Sequence, residues 1–392
     1  MYYMDQQAQY RIFTVDAEGK GDFVSLISAA EYLTGSDEPT VLMIHPGTYY
    51  GSVTFQCSNL IIEGTGASPE DVRITDFHYA KEALKYDKCI FPDHPDEHMA
   101  YRKCACCCEA CQRRNTFYTA VVRTDGDNIT LRNLTIENTA GSGKIYGQAI
   151  ALYTDGLGQS VENCRILGRQ DTVFTAPFPS LNKHGVNEGF GPKGDMPRTP
   201  SVCRFTGCYI SGDVDFIFGG ATAFFDSCTL HSFGGYFTAP STVEEQEFGY
   251  LFENCCFETE QDEITFTQDR LKADMPLAVT SDCLSQSSEP VWLGRPWRPY
   301  GKAVFIKCHF RGNIHPALFN DWDDEHNRQT AYFAIDEDSE ICEARDLQAS
   351  CPSEEDCSIY ASASDAFFGH ILSREAAEDY VFRFKKYISK FF

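Results

Sequence analysis

The chain has 392 residues and a net charge of -24, from 33 basic and 57 acidic side chains. That balance excludes nucleic-acid binding, which needs a basic footprint, and it disfavours simple electrostatic capture of a polyanion. No apolar run reaches the roughly 18 residues that a membrane-crossing helix needs.

The chain starts Met1-Tyr2-Tyr3-Met4-Asp5-Gln6-Gln7, with no basic region leading into an apolar one, so no export signal is expected there. Together with eighteen cysteines, this predicts a reducing compartment and a cytoplasmic protein. The alternative is a secreted protein whose leader has been removed. The first predicted element is a helix over roughly Val24 to Leu33, placed to cap the open N-terminal end of a coil.

Beyond this helix the chain is repetitive. Leu60-Ile61-Ile62, Leu134-Thr135-Ile136, Cys164-Arg165-Ile166, Cys208-Tyr209-Ile210, Cys228-Thr229-Leu230, Cys255-Cys256-Phe257 and Cys308-His309-Phe310 share an apolar-x-apolar frame. Most are preceded by Asn, Ser or Gly. The step from Cys208 to Cys228 is 20 residues and the next is 27, while the 44 residues from Cys164 to Cys208 include a Pro/Gly-rich insertion from Ala176 to Pro200. Periods of this size mark a repeat architecture, and the units read as short strands bounded by Gly, Asn and Asp. The predicted fold is all-β: one solenoid of parallel strands, a β-helix, spanning 1–392. A helical tail from Arg374 to Tyr387 is expected to pack along the outside. Solenoid cores grow lengthwise, so this length does not force several domains. The ladder cysteines read as small buried apolar residues with no redox role.

Two repeats carry an aspartate seven residues after their cysteine. Asn163 to Asp171 reads Asn-Cys-Arg-Ile-Leu-Gly-Arg-Gln-Asp, and Gly207 to Asp215 reads Gly-Cys-Tyr-Ile-Ser-Gly-Asp-Val-Asp. If Cys208 stacks on Cys164, then Asp215 stacks on Asp171, at a strand spacing of about 4.8 Å. Two carboxylates that close do not both ionise cheaply, so one should hold a proton near neutral pH. An acid beside a nucleophile predicts an enzyme. The competing use of Asp, as a turn residue at a coil corner, does not account for the shared register.

Four motifs occur in order: Gly147-Gln148-Ala149-Ile150-Ala151-Leu152, Gly168-Arg169-Gln170-Asp171-Thr172, Gly212-Asp213-Val214-Asp215-Phe216-Ile217-Phe218-Gly219 and Leu293-Gly294-Arg295-Pro296-Trp297. With Gly19-Lys20-Gly21-Asp22-Phe23 and Asn133-Leu134-Thr135-Ile136-Glu137-Asn138 before them, the set resembles the pectinesterases (pectin methylesterases). The resemblance implies a right-handed parallel β-helix. It also implies hydrolysis of the C6 methyl ester of galacturonate residues, in pectin or methylated oligogalacturonides, with release of methanol. Asp215 would then be the nucleophile and Asp171 the general acid and base. Gln148 and Gln170 would stabilise the oxyanion, and Arg295 would hold Asp215 ionised. Trp297 and Phe218 would offer faces to sugar rings, with Phe174 lining the same groove. Without the resemblance, Gln148 reads equally well as an internal amide-ladder residue and Trp297 as ordinary packing.

The set supplies all the chemistry, so no cofactor or metal is expected for catalysis. The non-catalytic alternative is a β-helix that only binds pectic oligosaccharide. A pectate lyase would want clustered acids for calcium, and none is evident. The chain departs from the family where Gly51 replaces an acid after Tyr49-Tyr50, and where Leu318-Phe319 and Trp322 stand for a tryptophan pair. The largest departure is a cysteine-rich insertion over about 85–115. There Cys104, Cys107, Cys108 and Cys111 form overlapping C-x-x-C pairs, suited either to a structural zinc or to a surface loop of free or paired thiols. The missing export signal and the many thiols, with the acidity in support, predict an enzyme acting on short, imported methylated oligogalacturonides, and a monomer is expected.

Overall fold

The computed structural model describes residues 10–82, 114–179, 191–193, 196–259, 289–342 and 368–392. The expected thiol-rich insertion, with Cys104, Cys107, Cys108 and Cys111, lies outside them. Every pairing between the described strands is parallel, in sheets of eleven, seven and nine strands, and the central turns of the coil each place one strand in each sheet. This is the right-handed parallel β-helix. One turn runs Gln159–Glu162, Arg165–Leu167, Val173–Thr175, and the next runs Val202–Thr206, Tyr209–Gly212, Ile217–Gly219.

A left-handed backbone residue makes six of the corners into the nine-stranded sheet. Asn133, Asn163, Gly207, Ser227, Asn254 and Lys307 all have φ between 48° and 59°. Gly reaches this region freely and Asn at little cost, which explains the residue types in front of the repeated frame. The next residue points inward: Cys164, Cys208, Cys228, Cys255 and Cys308 are each at most 2 % exposed. Their thiols reach back to the previous coil, with Cys208 Sγ donating to Val161 O at 3.3 Å and Cys255 Sγ to Phe225 O at 3.4 Å. Burial pushes the thiols of Cys164, Cys208, Cys228 and Cys255 well above their ordinary range. They stay protonated and unreactive. Packing explains them, so they say nothing about compartment.

One member of the frame sits elsewhere. Leu60–Gly64 belongs to the eleven-stranded sheet and pairs with Ile129–Arg132, not with the Leu134 and cysteine row. Asn59 and Asn128 adopt φ of 57° and 56° at that second corner. Both corners need the same backbone conformation, so both write the same signature.

Phe205, Phe225, Phe252 and Phe305 stack through the interior, with neighbouring centroids 4.5 to 5.0 Å apart and planes within 15°. The helix Leu26–Leu33 buries Leu26, Ala29, Ala30 and Leu33 over the first coils. It starts two residues later than predicted because Ser25 is its cap, accepting from the Ser28 N–H, while Val24 stays exposed. The tail helix Arg374–Ile388 lays Ala377, Tyr380, Phe384 and Ile388 against the outer face of the eleven-stranded sheet.

The phenylalanine stack yields a stability prediction. Phe252→Ala should cost about 3–5 kcal/mol in urea unfolding, whereas Tyr50→Ala, at an 80 % exposed position, should change it by less than about 0.5 kcal/mol. Equal effects would contradict a core built on that stack.

Candidate active site

The seven-stranded sheet brings the two aspartates together. Val173 pairs with Ile217, Ile217 with Thr238, and Thr238 with Gly294. Two residues before these lie Asp171, Asp215, Tyr236 and Trp292, one row across four coils. The Asp171 N–H donates to Val214 O at 3.1 Å. Both aspartates adopt positive φ, 64° and 52°, and both are only 8 % exposed. The turns beneath them are tight. A Cβ on Gly212 would sit 2.7 Å from Arg169 O, and one on Gly168 would sit 2.7 Å from Thr172 Oγ1. Thr172 Oγ1 itself lies 3.0 and 2.9 Å from the carbonyls of Arg169 and Ser211.

Arg295 comes directly after the strand Trp292–Gly294, its N–H donating to Thr238 O at 3.0 Å. Its guanidinium forks onto Asp215, Nε to Oδ1 at 2.8 Å and Nη2 to Oδ2 at 2.6 Å. The faces of the guanidinium lie against Tyr236 and Trp322, 3.8 and 3.7 Å from the ring centroids. A second buried pair stands behind, Arg169 Nε to Asp213 Oδ2 at 3.0 Å, with Arg169 over the ring of Phe233.

These neighbours divide the carboxylates. Burial raises both above the usual range. At Asp171 the charges of Asp215 and Asp213 add to burial, with Arg295 the one opposing influence, and its carboxyl rises well above the ordinary value. At Asp215 the charge-assisted bonds from Arg295 oppose burial directly. Of the two, Asp171 is therefore the carboxyl pushed further toward its protonated form.

Gln148 and Gln170 lie on adjacent coils beside this row. The Ala149 N–H donates to Gln170 O at 3.0 Å, and the Ala80 N–H to Gln148 O at 2.8 Å. The short helix Gly143–Tyr146 passes over Gln170 so closely that a Cβ on Gly143 would fall 2.7 Å from its Oε1. Both glutamines are half-buried. The aromatic expectations divide. Trp297 keeps accessible surface, but Phe218 is 3 % and Phe174 is 0 % exposed. They form a wall with Phe117, Phe174 and Phe218 at 4.9 Å, Phe218 and Trp297 at 5.6 Å. Neither phenylalanine presents a face to a groove, because Phe117 and Phe178 cover Phe174, and Phe117 and Trp297 cover Phe218. They support Trp297.

Tyr236, Gly143 and the Arg169–Asp213 pair are not anticipated by the spacing rule. From Cys228 to Tyr236 is eight residues, not seven, because Gly234 and Gly235, at φ 137° and 73°, lengthen that corner. Among the described residues no group of three or more His, Cys, Asp or Glu is placed to hold a metal ion, and no helix is long and apolar enough to cross a membrane.

The parallel β-helix and the sequence relatives together place the chain among the carbohydrate-modifying ester hydrolases. The chain belongs to the pectinesterase family, whose model matches residues 102–178 and 202–340. It is 27 % identical over 329 residues to pectinesterase 31 of Arabidopsis thaliana, covering 83 % of this chain and 82 % of that one. It is 31 % identical over 225 residues to pectinesterase B of Dickeya dadantii, over 53 % of this chain and 49 % of the relative. The fold matches the pectin methylesterase from carrot at TM-score 0.60 and 20 % identity, over 94 % of this chain and 89 % of that one. It matches a pectin methylesterase solved with a hexasaccharide at TM-score 0.60 and 21 % identity, over 95 % and 96 %.

The raised Asp171 carboxyl has a consequence for stability. Its folded value lies above the unfolded one of about 4, so the folded state binds more protons between the two and loses stability as pH rises through that window. Asp171→Asn, neutral at every pH, should escape this loss. Its melting temperature should match wild type near pH 4 and exceed it increasingly above, by differential scanning fluorimetry. A constant difference across pH would contradict a raised carboxyl.

Proposed function

We propose that the enzyme removes the C6 methyl ester from galacturonate residues by a two-step displacement with an aspartyl acyl-enzyme. Ionised Asp215 attacks the ester carbonyl carbon, and the carbonyl electron pair moves onto oxygen, where the side-chain amides of Gln148 and Gln170 donate to it. Collapse breaks the bond to the methoxy oxygen. Asp171 gives its proton to that oxygen, so methanol leaves instead of methoxide. The anhydride that remains links Asp215 to the sugar. Asp171, now a carboxylate, takes a proton from water as the water attacks the sugar carbonyl, and Asp215 departs as carboxylate. Ester and water give acid and methanol, and Asp171 ends protonated.

The observation that carries this reading is the unequal partnering of the pair: Arg295 forks onto Asp215 alone. A module that only binds sugar has no use for two buried carboxyls held in opposite charge states. Trp297 is an accessible aromatic beside the site and is assigned to a sugar face. The hexasaccharide bound to the structural relative supports an oligogalacturonide-length ligand.

Asp215→Asn keeps the shape and removes the attacking charge. Methanol release from methylated oligogalacturonide should fall by about three orders of magnitude or more, with the circular dichroism spectrum unchanged. Turnover near wild type would overturn the assignment.

A further inference from the structure

We propose that Tyr236, with Trp322 on the opposite face, is a positioning residue that acts through Arg295 to hold the nucleophile in its reactive orientation. This rests on the reading of Asp215 as nucleophile.

The fork alone does not fix the guanidinium. Two edge nitrogens of Arg295 bind Asp215, but a guanidinium on a flexible stem can still swing about its long axis and tilt out of the carboxylate plane. The planar faces are weakly hydrated and stack well on aromatic rings. Here both are covered, by Tyr236 at 3.8 Å and Trp322 at 3.7 Å. That removes the tilt and excludes water from the faces, so both fork bonds form in one geometry.

Both rings are themselves fixed. Tyr236 shares the catalytic row and is parallel to Trp292, with planes 14° and centroids 6.2 Å apart, and Trp292 carries His315 at 3.4 Å. Trp322 sits at φ 64°, with its N–H donating to Asn320 Oδ1 at 2.8 Å. Its segment is tied down by Arg328 to Asp321 at 3.0 Å and by Asn327 Nδ2 donating to Pro296 O at 3.3 Å. The second tie ends on the residue after Arg295. The clamp is thus built from two coils and the segment beyond, and closes on one side chain.

Among the described residues, the charged and titratable groups facing Asp215 are Arg295, Asp171, Asp213 with its partner Arg169, Tyr236, and Asp323 beside Tyr236. Of these, Arg295 is the cation bonded to Asp215, so loosening it must make Asp215 harder to ionise. The acidic limb of the kcat/KM profile, which reports ionisation of an essential base in the free enzyme, then moves to higher pH.

The test is the pH profile of kcat/KM on methylated oligogalacturonide for wild type, Tyr236→Leu, Tyr236→Phe and Trp322→Leu, with Asp215→Asn alongside. The substrate's own titration is common to all and cancels. Tyr236→Leu should lower kcat/KM roughly tenfold and move the acidic limb up by roughly one pH unit. The loss should fall mainly on kcat. Tyr236→Phe keeps the ring and loses only the hydroxyl bonded to Arg295, so its limb should lie close to wild type and well below that of Tyr236→Leu. An unmoved limb in a folded Tyr236→Leu, with Asp215→Asn inactive, would overturn the clamp and leave the nucleophile standing. If Tyr236→Leu does not fold, Trp322→Leu reads the other face, and its limb must also move up or the clamp fails. An active Asp215→Asn would instead overturn the nucleophile and the clamp together.

Discussion

Coil-to-coil register is the constraint on which everything else here depends. Parallel hydrogen bonding, with left-handed residues at the repeated corners, fixes which residue lies above which. Like then stacks on like: cysteine on cysteine, phenylalanine on phenylalanine, and asparagine on asparagine, as where Asn163 Nδ2 donates to Asn133 Oδ1 at 3.1 Å. For apolar rows this is favourable, since each ring or thiol buries against its copy. For an acidic row it is not, because the same register forces two buried carboxyls together. The apolar interior carries the stability that lets one such row persist.

The acidic row is made tolerable by being made unequal. Asp171 and Asp215 share exposure, backbone conformation and strand position. What separates them is one guanidinium, arriving from the end of the strand Trp292–Gly294 and held by two rings. It stabilises charge on one carboxyl, and the charged carboxyl keeps its neighbour neutral. On the proposed mechanism, acid and nucleophile thus arise from identical side chains by difference of environment alone. The charge of Asp213, itself paired with Arg169, raises both carboxyls and so does not divide them.

Much of this is legible in sequence because repetition is legible. The spacing of cysteine to aspartate places Asp171 on Asp215, since both intervals are seven and both corners have the same length. Tyr236 escapes because two glycines add a residue to its corner. Leu60 falls into the wrong row on pattern alone, because its corner uses the same left-handed asparagine as the others. Phe174 and Phe218, shortly after each aspartate, read from sequence as groove and sugar-ring residues. Their burial depends on Phe117 and Phe178, which come from a 3₁₀ turn and a loop with no repeat signature. Contacts that cross the period, such as Arg295 on Asp215 eighty residues away, come from family resemblance and not from pattern.

The central claim is that the resting enzyme holds Asp171 protonated beside an ionised Asp215. Carboxyl 13C NMR of aspartate-labelled protein, titrated from pH 4 to pH 8, tests it most directly. The account predicts one carboxyl that stays protonated well above the ordinary aspartate range of about 4, absent from the Asp171→Asn spectrum. Its loss from the Asp215→Asn spectrum but not from Asp171→Asn would place the proton on the wrong residue, and ordinary titration of every aspartate would remove the divided pair altogether.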